Sequence, residues 1–145
     1  KYFEEFDERR TLRMTYFYES VLHGYALYKL GKKMEAMELF NQQIKISNES
    51  IRLNRGLATG TTGGAAYYAM AGCYAIMDEK EKVYEVLHDM ERNSFSGWYT
   101  TKIQYDPLFK GLREDEEFKA IIQRQEQKFS EIRAEIDRLE AAEEL

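Results

Sequence analysis

Small and bulky residues recur at one spacing in two separate stretches of this chain. Gly24, Ala36 and Phe40 mark the first stretch, and Ala71 and Val83 hold the corresponding positions of the second. Two helices can cross closely where a small residue on one faces a large residue on the other, and residues three or four apart share one helix face. This spacing therefore predicts two pairs of antiparallel helices, each built around a shared apolar core.

The rest of the sequence also predicts helices. The expected elements are helices over about residues 16–30, 33–47, 65–77 and 79–92, a short helix at 107–112, and a long helix from about 116 to 142. The second helix could instead continue to Arg55. Gly31 and Asp78 mark the turns inside the two pairs. Asp106 before Pro107 has the form of an N-cap followed by the first helical residue. Since the chain has one proline and almost no β-type alternation, the predicted fold class is all-α.

Length and charge limit the classes of protein to which the chain can belong. Its 145 residues suit a single domain over 1–145. Its net charge is -5, and the chain lacks the stripe of basic residues that binding to a phosphate backbone requires. We therefore expect no direct contact with nucleic acid. No run approaches the roughly 20 apolar residues of a membrane span, which predicts no membrane contact and a cytoplasmic location. The chain begins at Lys1 without an initiator Met, so we expect a fragment of a longer protein.

Several residues of the first stretch fall in the order and spacing of a known repeat. They are Gly24, Leu27, Gly31, Ala36 and Phe40. In this pattern the chain resembles the tetratricopeptide repeat family, with one repeat at 17–50 and a more divergent one at 64–97. The resemblance implies antiparallel helix pairs in a right-handed superhelix that binds proteins without enzymatic activity. The two stretches are offset by 47 residues, compared with about 34 in the family, which implies an insertion around the glycine-rich segment 56–64.

A second resemblance lies in the segment 106–118. Its residues run Asp-Pro-Leu-Phe-Lys-Gly-Leu from Asp106, followed by Asp115 and Phe118. This segment is similar to the end of tetratricopeptide domains at the C-termini of bacterial multidomain regulators, including adenylate-cyclase-like and kinase-like proteins. The resemblance implies that 106–145 forms a cap and a long amphipathic helix, and that the chain belongs to a larger bacterial regulatory protein.

The family resemblance also implies where a partner binds. Tetratricopeptide domains take peptides on the concave face formed by the first helix of each repeat. The residues expected to line that face are Tyr18, Val21, Tyr25, Tyr28 and Lys29 from the first repeat and Tyr68 from the second. Tyrosine offers a large contact area with a polar tip, which favours a protein or peptide partner with apolar or aromatic side chains. The alternative is that these tyrosines pack within the core.

The last helix carries a heptad pattern. Its seam residues, spaced alternately four and three apart, are Phe118, Ile122, Gln125, Phe129, Ile132, Ile136 and Leu139. Parallel pairing of two copies would bring like charges together, as at Lys128 and Arg133. Antiparallel pairing would instead place Lys128 opposite Glu135, in a register that sets Gln125 opposite Ile136. The pattern therefore favours a cap that folds back over the last repeat, with an antiparallel homodimer through this seam as the alternative.

No group of residues predicts catalysis or cofactor binding. His23 and His88 lie in different repeats and outside any metal-ligand spacing, so we expect no metal site and no enzyme. The glycine-rich segment 56–64 lacks the lysine of a phosphate-binding loop, which favours a connector over an anion site. The single Cys73 stands among Ala, Met and Tyr and is expected to be a small buried residue rather than a reactive thiol.

Overall fold

The computed structural model describes residues 17–54, 64–93 and 102–143, and within these ranges the chain forms helices and turns without a β-strand. The predicted all-α class is confirmed for this part of the chain. In chain order the elements are α1 (Phe17–Lys29), α2 (Lys33–Arg52), α3 (Gly64–Ile76), α4 (Lys80–Asn93), a 3-10 helix (Pro107–Leu112) and α5 (Glu116–Glu143). Predictions for residues 1–16, for most of the glycine-rich segment and for 94–101 lie outside the described ranges.

The contact between α1 and α2 depends on one glycine and one phenylalanine. Gly24 lies so close to Phe40 that a Cβ atom at position 24 would overlap the phenylalanine ring. Ala36 and Phe40 are fully buried. Gly31, with φ of 80°, adopts the left-handed conformation that ends α1 and lets the chain turn into α2. The close approach predicted between Gly24 and Phe40 is therefore present.

The second helix continues past its predicted end near residue 47 and stops at Arg52, before the alternative end at Arg55. The residues that continue its buried face are small or polar: Gln43, Ser47 and Ser50 are all buried. The Gln43 Nε2 atom donates a hydrogen bond to Ser47 Oγ at 3.1 Å. Because this face is polar, the sequence left the end of the helix open between residue 47 and Arg55.

The central element of the fold is α3, which contacts α1, α2, α4 and the 3-10 helix. Nine of its residues are buried for that reason, and its composition of Ala, Gly, Tyr and Met lets neighbours approach on several sides. The turn into α4 is made at Asp78, which has φ of 61°. Aspartate tolerates this left-handed conformation better than most residues. Val83 and Leu87 of α4 are fully buried.

The C-terminal part begins with the predicted cap. Asp106 accepts a hydrogen bond from the Leu108 backbone N–H, and Pro107 occupies the first helical position. The predicted cap is confirmed, and the short helix that follows is a 3-10 helix. The last helix, α5, has 28 residues, which corresponds to about 42 Å. Its first turns pack on α4. Residues 130–142 are also helical, but they are exposed.

Candidate interaction surfaces

One part of the predicted peptide-binding face is accessible, and it lies on α1. Tyr25 and Tyr28 pack against the hydrophobic core and keep part of their surface exposed, and Lys29 is exposed. The Lys29 ammonium lies 5.3 Å from the centre of the Tyr25 ring, and the Lys33 ammonium lies 5.6 Å from the centre of the Tyr28 ring. Each pair has the geometry of a cation–π contact. We call these four residues the tyrosine surface. The side chain of Tyr18 is outside the described part of the structure.

Two residues predicted to line the same face are buried instead. Val21 has no exposed surface and Tyr68 is 2 % exposed. Tyr68 packs edge-on against Phe109, with 5.4 Å between the ring centres, and donates a hydrogen bond from Oη to Asp106 Oδ2 at 2.6 Å. Their expected exposure on the concave face was wrong, because Val21 lies against α3 at Gly72 and another segment of the chain covers Tyr68.

That covering segment is the 3-10 helix. A Cβ atom built on Gly72 of α3 would meet Leu108 Cδ1 at 2.9 Å and Val21 Cγ1 at 3.5 Å. Leu108 therefore lies where α1 and α3 come together. Leu108, Phe109 and Leu112 are all buried, and the Phe109 ring stacks on Phe118 at 6.1 Å. The apolar residues directly after the Asp106 cap were the sequence signal for this packing, but they do not specify the surface on which the segment rests.

A polar cluster joins the start of α5 to α4. Arg124 donates to both carboxylate oxygens of Glu91, at 3.2 and 2.9 Å, and Gln125 Nε2 donates to Glu91 Oε1 at 3.1 Å. His88 places Nδ1 at 3.0 Å from Glu91 and Nε2 at 3.0 Å from Glu117. Burial acts to raise the pKa of Glu91, but its hydrogen bonds outweigh this effect and the pKa lies below its ordinary value. The cluster fixes this part of α5 on the domain.

A second polar contact holds the residue just before α5. Asp115 Oδ2 accepts a hydrogen bond from Tyr84 Oη at 2.7 Å and pairs with Lys80 Nζ at 2.7 Å. The hydrogen bond from Lys80, followed by that from Tyr84, lowers the pKa of the Asp115 carboxyl. Lys119 N–H donates to the Asp115 carbonyl at 3.0 Å, the first turn of the helix. Asp115 therefore lies at the start of α5 and also links this helix to α4.

The heptad seam of α5 is divided by its packing. Phe118 and Ile122 are buried in the domain, and Gln125 is bound to Glu91. Phe129 is half-buried. The last three apolar seam residues are exposed: Ile132 by 37 %, Ile136 by 49 % and Leu139 by 51 %. Only the second half of the predicted self-association face is therefore accessible, and the predicted antiparallel register, which needs Gln125, would require release of its bond to Glu91.

Other candidate sites offer little chemistry within the described ranges. Cys73 is buried, and this burial raises the pKa of its thiol to about 12, as expected of a structural rather than a reactive cysteine. No three His, Cys, Asp or Glu side chains converge on a metal position among the residues described. In that same part of the chain, no helix has the length and apolar character needed to cross a bilayer.

The chain matches no family model, no curated protein and no solved structure. The resemblance to tetratricopeptide repeats therefore depends on the residues quoted for it alone.

Proposed function

We propose that this chain is a non-enzymatic protein-interaction module of the tetratricopeptide type, which binds a peptide or a partner helix on the tyrosine surface. The observation that carries the proposal is the partial exposure of Tyr25 and Tyr28, each with a lysine ammonium at its ring face. Tyrosines offer contact area at a low cost in side-chain entropy, and they are enriched among the residues that dominate binding energy.

The order of helix contacts supports the proposed architecture. α1 packs against α2 and α3, α2 packs against α3, and α3 packs against α4. A stack of two antiparallel helix pairs needs these contacts, because the first helix of each pair must touch both its own partner and the next pair. We include the right-handed superhelix of the family in this proposal.

The chemistry of the tyrosine surface favours a particular kind of peptide. Leu30 and Met34, which adjoin it in sequence, are 76 % and 87 % exposed. Large exposed apolar side chains beside aromatic rings favour apolar or aromatic residues in a partner. Lys29 and Lys33 would pair with carboxylates at the edge of such a peptide. The partner is therefore a peptide with apolar or aromatic anchors flanked by acidic residues.

The segment 106–118, which resembles the end of tetratricopeptide domains in bacterial regulators, also suggests a biological role. Asp106 caps the 3-10 helix, and Phe109 and Phe118 pack together behind it. We infer that the chain is the interaction part of a larger bacterial regulatory protein that acts in the cytoplasm.

Selection of peptides from a random display library tests this function. Peptides enriched on the immobilised chain should lose binding to a variant carrying Tyr25→Ala and Tyr28→Ala. Tyr105→Ala is the matched control, because Tyr105 is 75 % exposed and lies outside the tyrosine surface. Circular dichroism and urea unfolding establish that both variants are folded, and Lys29→Glu provides a second variant at an exposed position. Enriched peptides that bind all the variants as tightly as the parent chain would refute the proposal.

A further inference from the structure

The second half of α5 presents an apolar stripe to solvent. Ile132, Ile136 and Leu139 are spaced four and three apart, so they lie on one side of the helix, and each is at least 37 % exposed. We call these three residues the free seam. Charged residues flank it, with Arg133 and Glu140 on one side and Glu135 on the other. A stripe of this kind on a helix is typical of a surface that pairs with another helix.

The packing of the front half of α5 limits how a second copy could cover the free seam. Ile122 is 9 % exposed, and Gln125 and Arg124 are hydrogen-bonded to Glu91 of α4. The antiparallel register with opposite charges at its flanks sets Gln125 against Ile136. That register would require these side chains to leave α4, so two folded domains cannot pair in it.

The registers that use the free seam alone place like charges together. An antiparallel pair with Ile132 opposite Ile136 of the second copy sets Arg133 against Arg133 and Glu135 against Glu135. The same register also sets Glu126 against Glu140.

A parallel pair of two copies is no better, because it sets Lys128 against Arg133 and Glu135 against Glu140. Shifting the antiparallel pair by one more heptad toward the C-termini places Arg133 opposite Glu140 of the second copy. That shift retains only Ile136 and Leu139 as apolar layers in the described part of the helix, which is short for a stable coil.

We propose that the free seam binds an amphipathic helix of a different sequence. The partner helix carries apolar residues at its own seam, basic residues opposite Glu126, Glu135 and Glu140, and an acidic residue opposite Arg133. Opposite charges at the flanks select this partner, and like charges at the same positions reject a second copy of the chain. This interaction is independent of peptide binding at the tyrosine surface, because it uses another element of the fold.

Sedimentation of the whole chain tests the first half of the proposal. The chain should remain a monomer up to the highest soluble concentration. A dimer that Ile136→Glu dissociates would overturn the proposal, since it would show that the free seam binds its own copy.

Two synthetic helices test the second half. The first has Ile and Leu at its seam and flanking charges complementary to those of α5 in the antiparallel orientation; the second has those flanking charges reversed, with outer positions adjusted to the same net charge. The complementary helix should bind the chain at least about tenfold more tightly than the reversed one. This preference should shrink in high salt, because salt screens exposed charges.

Variants of the chain locate the binding. Ile136→Glu should abolish binding of the complementary helix. Ala134→Glu introduces the same charge at an exposed position on the other side of α5 and should leave binding unchanged. Failure of the complementary helix to bind, equal binding of the two helices, or equal loss in both variants would each refute the proposal.

Discussion

Tyr68 of α3 donates a hydrogen bond to Asp106 across 38 residues of chain, with Oη and Oδ2 2.6 Å apart. The other carboxylate oxygen, Oδ1, accepts from the Leu108 backbone N–H at 2.9 Å. Arg113 Nη2 donates to the Asp106 carbonyl oxygen at 3.2 Å. One buried aspartate therefore caps the 3-10 helix and also fixes it against the central helix of the fold.

Replacement of Tyr68 by phenylalanine should show the value of this link. Tyr68→Phe keeps the ring against Phe109 but removes the donor to a buried carboxylate, which costs about 1–3 kcal/mol of unfolding free energy. Urea unfolding followed by circular dichroism measures the change. Tyr105→Phe removes the same atom from a residue that is 75 % exposed, and it should change stability by less than about 0.5 kcal/mol. Equal effects of the two substitutions would contradict a structural role for the Tyr68 hydroxyl.

Gly24→Ala tests the close contact between α1 and α2. Alanine normally stabilises a helix interior relative to glycine, by about 1 kcal/mol. Here the added methyl group would overlap the Phe40 ring, and such overpacking costs about 1–3 kcal/mol. We expect a lower melting temperature in calorimetry. Gly111→Ala is the control, because a Cβ atom at that position meets nothing within 4 Å. A rise in melting temperature for Gly24→Ala would show that the two helices are not in close contact there.

The two halves of the α5 seam should respond differently to the same substitution. Ile122→Ala removes buried methyl groups and should cost about 2–4 kcal/mol of unfolding free energy. Ile136→Ala acts on a side chain that is 49 % exposed, and it should change stability by less than about 0.5 kcal/mol. Chemical denaturation of both variants provides the comparison. If Ile136→Ala were as destabilising as Ile122→Ala, the second half of the helix would have to be packed on the domain.

The cluster around Glu91 should make stability depend on acid pH. The pKa of Glu91 in the folded protein lies below its ordinary value of 4.5. Between these two pKa values the unfolded chain binds more protons, so the contribution of Glu91 is complete above about pH 5.5 and is lost as the pH falls through the folded pKa.

Glu91→Gln should therefore flatten the decline of unfolding free energy below pH 5.5. Urea denaturation at a series of pH values measures this slope. Arg124→Gln should flatten it in the same direction, because Arg124 donates two of the hydrogen bonds that lower this pKa. Retention of the parent slope in both variants would rule out Glu91 as its source.

Local signals in the sequence were sufficient for much of the fold. Gly31 and Asp78 mark turns because the left-handed backbone is open to few residue types, and the structure has positive φ at both. Asp106 with Pro107 marks a helix start because both act on adjacent backbone groups. The end of α2 was harder to predict, since Ser47 and Ser50 are buried without being apolar.

The surfaces were less predictable than the helices. Val21 and Tyr68 were both predicted to line an exposed face, yet Val21 is buried beside Gly72 of α3 and Tyr68 is buried against the 3-10 helix. Tyr25 belongs to the same predicted face and stays partly exposed. The difference depends on which elements from other parts of the chain pack against each residue. The spacing of residues within α1 or α3 does not predict that packing.

The amino-acid sequence by itself determined the all-α class, the turns, the cap at Asp106 and the heptad spacing of α5. Each of these depends on interactions between residues a few positions apart. Tertiary structure alone decided that Ile122 is buried while Ile136 is exposed, and that Gln125 binds Glu91 instead of facing a second copy. The exposure of a side chain is set by every element packed around it, and those elements come together only when the whole chain folds.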